Sequence, residues 1–290
     1  MKVIHLIRCK AILKIILSLN IMYFLIELIE FSIFDRRQTH NLYTVERYGP
    51  LVSSNVTVIS HYFQLKKSKH SIVDYKKWVR NFFISVSSPL VIFTDKQSFI
   101  QELLELRTLL NQPTTLYVTD SIWNVLKENE GIRKLNYISN YKKEQLKLDR
   151  EKQIHNSNLY ALWNLKSFVT DKIAQENFYN SSAFIYSDSG AWRHQIIKDW
   201  PDNYQVMSLI EDLNDRVLLG QLDDEKKFIY KNCQFPDIDL IEGTFFMGSQ
   251  KAVHHFKEEF WHIHDKKLQK GEFIGKDQIL MNIILYFCVQ

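Results

Sequence analysis

Short apolar runs recur along the chain from about residue 55 onward. Their β-branched and aromatic residues, bounded by polar residues, are typical of buried β-strands. The first run, NVTVISHYF, spans residues 55–63, and the second, PLVIFTD, spans residues 89–95. Further strands are predicted at 115–120, 183–188, 204–209, 216–220 and 239–249.

Between these runs, apolar residues recur at the spacing of one face of an α-helix. Helices are predicted at 71–83, 96–110, 158–176, 250–270 and 276–287, with helical pieces within 121–156. Ser157 or Asn158 is the expected N-cap of the long helix at 158–176. Strands that alternate with helices predict an α/β fold, in which a mixed, mostly parallel sheet is flanked by helices.

A more continuous apolar segment occupies residues 11–34, which read AILKIILSLNIMYFLIELIEFSIF. Its length is close to the roughly 20 apolar residues that cross a bilayer, although Lys14, Glu27 and Glu30 interrupt it. No small-residue cleavage site follows, so residues 1–34 are predicted to form an uncleaved signal-anchor helix. An amphipathic helix lying on the membrane or on the domain is the alternative.

The segment after this hydrophobic helix is polar and is broken by a Gly-Pro pair. We interpret residues 35–53 as a stem and residues 54–290 as the folded domain. Sequons at Asn55 and Asn180 would permit glycosylation in a lumen. The expected localisation is a single-pass membrane protein. Lys2, Arg8 and Lys10 before the hydrophobic segment nearly balance Arg36 and Arg37 after it, so its orientation stays open, and a domain facing the lumen of the Golgi or the endoplasmic reticulum is one of the two alternatives.

Charge and composition narrow the range of partners. The 290 residues include 37 Lys and Arg against 33 Asp and Glu, a formal net charge of +4. This small excess is spread along the chain and gives no basic face, so nucleic acid is not an expected partner. The three cysteines lack the spacing of a metal-binding pair or a disulfide scaffold.

Three acidic residues close predicted strands: Asp95, Asp120 and Asp188. Ligands of parallel sheets bind beyond the carboxyl ends of the strands. Asp188 is followed by Ser189 and Gly190. A carboxylate suits a hard divalent cation that offsets a diphosphate, and a glycine allows backbone to approach a phosphate closely. The alternative is that Asp188 only ends a strand and caps a turn.

Two further acids occur in settings that suit a ligand site. Glu242 precedes two glycines in the predicted strand 239–249, and Asp277 lies in the first turn of the last predicted helix. Gln278 offers a hydrogen bond to a sugar hydroxyl. Each has a structural alternative, since Glu242 suits the surface beside a bulge and an acid at a helix start suits the helix dipole.

Seven segments, in order, resemble the HtrL/YibB family, which includes WlaTC-type proteins of bacterial surface-polysaccharide loci. They are NVTVISHYF, SKHSIVDYKKWVRNFF, PLVIFTD, NLYALWNLKSFVTDKI, FIYSDSGAWR, IEGTFFMGSQKAV and GKDQILMN, and their order and spacing cover about residues 55–285. The resemblance implies a GT-A-like (Rossmann-like) nucleotide-diphospho-sugar transferase fold and a role in glycan or polysaccharide assembly. Residues 54–290 would then form an HtrL/YibB-like glycosyltransferase-like domain.

The resemblance also implies a site. In GT-A enzymes an acidic motif after a central strand binds a divalent metal and the donor diphosphate, and Asp188 resembles that acid. A ligand role for Asp188 toward Mn²⁺ or Mg²⁺ is therefore expected, with Ser189 and Gly190 beside the nucleotide. Because Ser189 and Gly190 stand where a full DxD motif has its second acid, the chain departs from that motif.

Other residues receive expected roles from the same resemblance. Asp277 and Gln278 resemble a helix start at which the acid faces the sugar, and Asp277 and Glu242 are the candidate catalytic residues. The remaining expected nucleotide contacts are Ser60, His61, Tyr62 and Asp95, with Lys69 or Arg193 stabilising the leaving diphosphate.

The predicted function is transfer of a sugar from a nucleotide-sugar donor to a glycan or polysaccharide acceptor. A non-catalytic sugar- or nucleotide-binding protein on the same fold is the alternative, which the missing second acid favours. A membrane-tethered interaction protein with no small ligand is a third hypothesis. Nucleotide binding separates the first two from the third, and transfer separates the first from the second.

Overall fold

The computed structural model describes residues 42–129, 137–222 and 240–287, with backbone alone at 137–140 and 286–287. The chain divides into two units, Met1–Tyr43 and Thr44–Gln290, and the helices and strands given below belong to the second. The expected anchor lies outside the described residues. Within the described part, no helix has both the length and the apolar character that a membrane crossing requires.

Seven strands form one mixed sheet. They are β1 (Thr44–Tyr48), β2 (Val56–Tyr62), β3 (Leu90–Asp95), β4 (Thr114–Thr119), β5 (Ala183–Ser187), β6 (Leu218–Gln221) and β7 (Ile241–Gly248). Their order across the sheet is β1-β4-β3-β2-β5-β7-β6. The four central strands, β4, β3, β2 and β5, are parallel, whereas β1, β7 and β6 each run antiparallel to a neighbour. The expected mixed α/β sheet is confirmed.

Eight α-helices occur in the described residues. They are α1 (Ile72–Ser85), α2 (Leu104–Leu109), α3 (Ile122–Lys127), α4 (Tyr137–Leu148), α5 (Ser157–Glu176), α6 (Asn203–Leu213), α7 (Gln250–Gln269) and α8 (Asp277–Phe287). A 3₁₀ turn at Phe99–Leu103 precedes α2. The single helix expected over 96–110 is therefore two short pieces.

Strand β2 lies at the centre of the sheet, and all seven of its residues are buried. Successive side chains of a strand point to opposite faces. On one face Val56 and Val58 join an apolar cluster with Phe82 and Phe83 of α1. On the other face β2 contacts α5, which packs against α7. Helices therefore cover both sides of the parallel strands, as expected for this class of sheet.

Three further sequence predictions differ from the structure. Residues 204–209 belong to helix α6, because Asp202 accepts from the amides of Tyr204 and Gln205 and caps it. The N-cap of α5 is Asn156, whose side chain accepts from Asn158 and Leu159 amides, in place of the expected Ser157 or Asn158. Residues 44–48 of the expected stem form the edge strand β1, since their backbone pairs with β4.

Arg107 on α2 is fully buried at the amino-terminal edge of β3 and β4. Its guanidinium donates to carbonyl oxygens of Phe83, Val86, Ser88 and Pro113, to the Thr114 hydroxyl and to the Gln112 side chain. A planar guanidinium carries five N–H donors, so one side chain satisfies several chain segments that have no regular partner there. Arg107 therefore fixes the starts of two strands relative to the end of α1.

Candidate functional site

The candidate site lies where the strand order reverses. From β2 the chain proceeds outward through β3 and β4, and it then returns to place β5 on the opposite side of β2. In open α/β sheets such a reversal leaves a crevice beyond the carboxyl ends of the two strands. A cleft of about 550 Å³ opens at this place, and its lining includes His61 and Tyr62 from β2 and Asp188, Ser189 and Gly190 after β5.

A buried lysine lies at the floor of this cleft. Only 3% of the Lys166 side chain is exposed, and its ammonium nitrogen contacts three oxygen atoms. Asp188 Oδ2 lies 3.1 Å away, Asp277 Oδ2 lies 2.8 Å away, and the carbonyl oxygen of Gly243 lies 2.7 Å away. These partners come from the end of β5, the start of α8 and the middle of β7. The lysine therefore joins three elements at the floor.

The charge state of this group follows from its surroundings. Burial alone would lower the pKa of Lys166, but the carboxylates of Asp188 and Asp277 outweigh burial and raise it. Burial raises the pKa of Asp277, and the nearby Asp188 adds to this effect while Lys166 opposes it. Lys166 therefore stays an ammonium, and Asp277 depends on that ammonium for its ionised form.

A second layer holds the other oxygen of Asp188. The Tyr186 hydroxyl donates to Asp188 Oδ1 at 2.5 Å and lies 3.2 Å from Nδ1 of His61. Burial raises the pKa of Tyr186 well above its usual value, and Asp188 adds to the rise. Burial lowers the pKa of His61 to about 4, so the imidazole is neutral near pH 7. Each Asp188 oxygen thus already accepts one hydrogen bond from the protein.

Backbone geometry brings these groups together. The Asp188 amide donates to the carbonyl oxygen of Thr244 at 2.8 Å, which links the end of β5 to β7. A Cβ at Gly243 would lie 3.0 Å from Gln278 Cγ and 3.3 Å from Asp277 Oδ2. The glycine therefore allows β7 to approach the first turn of α8 closely, as the ion pair requires.

The rim of the cleft is basic. Lys66, Lys67 and Lys69 follow β2, Arg193 follows β5, and all four are exposed residues that line the cleft. The Lys67 ammonium donates to the carbonyl oxygen of Gln153, and the Arg193 guanidinium lies 4.9 Å from the centre of the Trp78 ring. Among the described residues, Lys66, Lys69 and Arg193 have no carboxylate partner. Their charges are therefore available to an anion.

Seven of the expected site residues line the cleft, namely His61, Tyr62, Lys69, Asp188, Ser189, Gly190 and Arg193. Gly190 also permits close packing, because a Cβ there would lie 3.1 Å from the Tyr75 ring. Asp188 follows β5 and lies at the cleft, and its role as a ligand stays a prediction.

The other expected site residues support the cleft from outside its lining. The Ser60 hydroxyl accepts from the amide of Ser189 at 3.2 Å. The Asp95 carboxylate accepts from the amides of Gln64 and Gln97 and holds the loop after β2. Gln278 donates to the carbonyl oxygen of Ile241, and Glu242 accepts from the amide of Thr244. Asp277 is buried and meets the floor through Lys166.

Sequence reasoning missed Lys166, although the chain carried a signal for it. Leu162, Leu165, Val169 and Ile173 mark the buried stripe of α5, and Lys166 falls within that stripe. A charged residue is almost never fully buried unless it is paired. A lysine on the apolar face of a helix therefore indicates a buried anionic partner, even though the sequence does not say which one.

The donor set fits poorly with the expected divalent cation. Within the described part of the chain, no group of three or more His, Cys, Asp or Glu side chains is placed to hold a metal ion. Asp188 and Asp277 are the nearest pair of acids at the floor, and the Lys166 ammonium already lies against both. A Mg²⁺ or Mn²⁺ ion on these carboxylates would have to displace it.

Comparisons with known proteins find similarity among solved structures only. No protein-family model matches the chain, and no curated protein matches it. Among solved structures, it is similar to core-mannan synthase A (CmsA/Ktr4) from Aspergillus fumigatus in its Mn/GDP form, with 13% identity and a TM-score of 0.44. The match covers 80% of this chain and 69% of that one. The HtrL/YibB resemblance stays a prediction, and the activity has to be argued from the cleft itself.

Proposed function

We propose that the chain is a GT-A-like glycosyltransferase that binds a nucleotide-sugar in the cleft and transfers the sugar to a glycan or polysaccharide hydroxyl. One observation supports this most directly: the cleft at the reversal of strand order combines a basic rim with an acid–lysine–acid floor. A nucleotide-sugar combines a diphosphate with hydroxyl-rich rings. The basic rim suits the diphosphate, and the floor suits the hydroxyl groups.

The basic rim would bind the diphosphate. Lys66, Lys69 and Arg193 supply charge-assisted hydrogen bonds, which are shorter and stronger than neutral ones. Negative charge builds up on the nucleotide as the sugar leaves, and fixed positive groups stabilise that charge. The rim thus serves both binding and the departure of the nucleoside diphosphate.

The floor would bind hydroxyl groups. The Asp188 side chain is 27% exposed, and each of its oxygens can accept a further hydrogen bond beyond those from Lys166 and Tyr186. Asp188 is therefore the acid in direct reach of a ligand. Asp277 and Glu242, the candidate catalytic residues of the sequence, lie outside the lining. We assign to Asp277 the positioning of Lys166, and Glu242 stays a candidate without a demonstrated contact to the cleft.

Attachment to a membrane through residues 11–34 and a lumenal location are part of the same proposal, since an anchored domain suits a glycan acceptor at a membrane. They rest on the sequence pattern alone. A non-catalytic binding protein would share the cleft and the ligand, so transfer is the property that separates it from an enzyme.

A thermal-shift screen of the purified full-length chain against UDP-, GDP- and ADP-sugars, with CMP-sugars as the single-phosphate comparison, tests the proposal. A ligand at about 100 times its dissociation constant adds roughly 2.7 kcal/mol to the free energy of unfolding, which gives a measurable shift. We expect one nucleotide series to raise the melting temperature and the matching free sugar to leave it unchanged. Absence of a shift with every nucleotide would overturn the proposal.

Release of the nucleoside diphosphate then separates an enzyme from a binding protein. The nucleotide-sugar that shifts the melting temperature is incubated with the chain, with and without glycan acceptors, and the products are separated by chromatography. We expect acceptor-dependent release of the nucleoside diphosphate. Binding without release in any mixture would favour the non-catalytic alternative.

A further inference from the structure

We propose that the ammonium of Lys166 takes the place of the divalent cation, so that the cleft binds a nucleoside diphosphate without a metal ion. The identity of the ligand rests on the proposed function. The replacement of the divalent cation depends only on Lys166 and the two carboxylates beside it, so it can be tested with a metal ion alone.

The geometry around Lys166 resembles that of a coordinated cation. Two carboxylates and one carbonyl oxygen converge on its nitrogen within 3.1 Å, and they come from Asp188, Asp277 and Gly243. The ammonium donates hydrogen bonds to Asp188 Oδ2 and to the Gly243 carbonyl oxygen, and it forms an ion pair with Asp277 Oδ2 at 2.8 Å. Carboxylate and carbonyl oxygens are also the ligand type that a hard metal ion prefers, but three of them fall short of the six that such an ion requires. The lysine therefore occupies the position that the donor set defines.

A divalent ion and this ammonium exclude each other. Mg²⁺ binds oxygen at about 2.0–2.1 Å and requires near-octahedral coordination. An ion that bound both Asp188 Oδ2 and Asp277 Oδ2 would lie close to the Lys166 ammonium, which is 3.1 Å from the first oxygen and 2.8 Å from the second. The Lys166 side chain is only 3% exposed, so water cannot replace the oxygens that the ion would take. Breaking a buried ion pair by removing one partner is strongly destabilising, because it leaves an uncompensated charge.

The rim supplies the positive charge that a metal ion would otherwise bring to the diphosphate. Lys66, Lys69 and Arg193 line the cleft, are exposed and have no carboxylate partner within the part of the chain that is described. A guanidinium also matches phosphate oxygens in a two-point contact. The exposed cations at the rim would thus bind the phosphates, and the buried Lys166 at the floor neutralises the carboxylates.

Titration of Mn²⁺ alone tests the statement about the cation. Free Mn²⁺ is counted by electron paramagnetic resonance in the presence of the wild-type chain and of the Asp188→Asn variant. We expect the two proteins to bind the same small amount of Mn²⁺. Binding of one Mn²⁺ per wild-type chain that is lost in Asp188→Asn would overturn the inference, whether or not any nucleotide binds.

Titration with UDP and GDP, in EDTA and in Mn²⁺, tests the nucleotide. For the nucleotide that binds, we expect dissociation constants within about threefold of each other in the two buffers. Affinity at least about tenfold tighter in Mn²⁺ for the wild type, but not for Asp188→Asn, would overturn the inference and leave the proposed function standing. Absence of binding in both buffers would count against the proposed function, and the Mn²⁺ titration would still decide the inference.

The variant Lys166→Met supplies the converse test, since it keeps the length of the side chain and removes the charge. We expect the folded variant to gain Mn²⁺ binding that Asp188→Asn in the same background removes. A folded Lys166→Met chain that binds no more Mn²⁺ than the wild type would contradict the inference. If this variant fails to fold, the comparison of the wild type with Asp188→Asn decides alone.

Discussion

At the scale of single residues, His61 shows how the floor constrains its neighbours. Its side chain lies on the face of β2 that meets α5, and only 7% of the residue is exposed. The charged groups that face it are Asp188, which favours the imidazolium, and Lys166, which disfavours it. Burial outweighs Asp188, so the folded protein holds a neutral imidazole where an exposed histidine would take up a proton.

We predict that stability falls between pH 6.5 and pH 4 because of His61. The unfolded histidine takes up a proton near pH 6.5, whereas the folded one resists until about pH 4. The unfolded state then binds more protons, so the free energy of unfolding drops as pH falls, by about 3 kcal/mol over the window. Asp277 acts in the opposite direction, since its raised pKa lets the folded state bind the extra proton.

Urea unfolding at several pH values measures this effect as a difference between variants, so that Asp277 and other shared groups cancel. The variant His61→Gln should show a shallower fall than the wild type between pH 6.5 and pH 4. The matched control is His255→Gln, at an exposed position on α7, which should keep the wild-type pH dependence. Equal slopes for His61→Gln and the wild type would show that His61 is not the group responsible.

At the scale of elements, α5 couples the floor to the rim. The helix carries Lys166 in its middle, and its N-cap Asn156 touches the loop after β2. The Asn156 side chain oxygen accepts from two amides of the first turn, and its side chain nitrogen donates to the carbonyl oxygen of Lys67 at 3.1 Å. One amide side chain therefore both starts the helix and tethers the basic loop.

We predict that two substitutions at Asn156 separate these roles. Asn156→Ala removes the cap and the tether, and it should lower the free energy of unfolding by about 1 kcal/mol. Asn156→Asp keeps an oxygen for the cap and loses the donor to Lys67, so its stability should stay near that of the wild type. Both variants should bind the nucleoside diphosphate more weakly. Calorimetry measures the affinity, and urea unfolding measures the free energy of unfolding. Wild-type affinity in Asn156→Asp would show that the tether does not matter for binding.

At the scale of the whole molecule, the small net charge of +4 hides an uneven distribution of charge. Basic side chains from two separate loops meet at the cleft, after β2 and after β5. Such a patch strengthens anion binding and makes it sensitive to ionic strength, because exposed charges are screened by salt.

We predict that the double substitution Lys69→Gln with Arg193→Gln weakens binding of the nucleoside diphosphate by at least about tenfold at low salt. It should also flatten the dependence of affinity on salt concentration. The control is Lys76→Gln, which removes an exposed lysine that pairs with Glu102 and does not line the cleft. An equal loss in the control would mean that overall charge, not the rim, determines affinity.

Much of this architecture was predictable from local pattern. The strand at 55–63 and the helix at 71–83 follow from β-branched residues and helical spacing, and the structure has them as β2 and α1. The strand prediction for residues 204–209 was wrong because a short apolar run is compatible with a strand or a helix. The Asp202 cap favours the helix.

The site was predictable only in part. Asp188 follows from its place at a strand end, whereas the role of Lys166 depends on partners from β5, β7 and α8 that only the fold brings together. The sequence also does not show why residue 243 has to be a glycine. The reason is the close packing of α8 beside β7, which only the fold reveals.

The buried Arg107 has a consequence for how such a protein can change over generations. It joins chain segments at the amino-terminal ends of β3 and β4. The residues that would contact a ligand lie beyond the carboxyl ends of β2 and β5. The residues that stabilise the fold are therefore different from the residues that determine which ligand binds. Substitutions at the exposed positions Lys66, Lys67, Lys69 and Arg193 can accumulate and be selected for a new nucleotide or sugar without disturbing the frame that presents them.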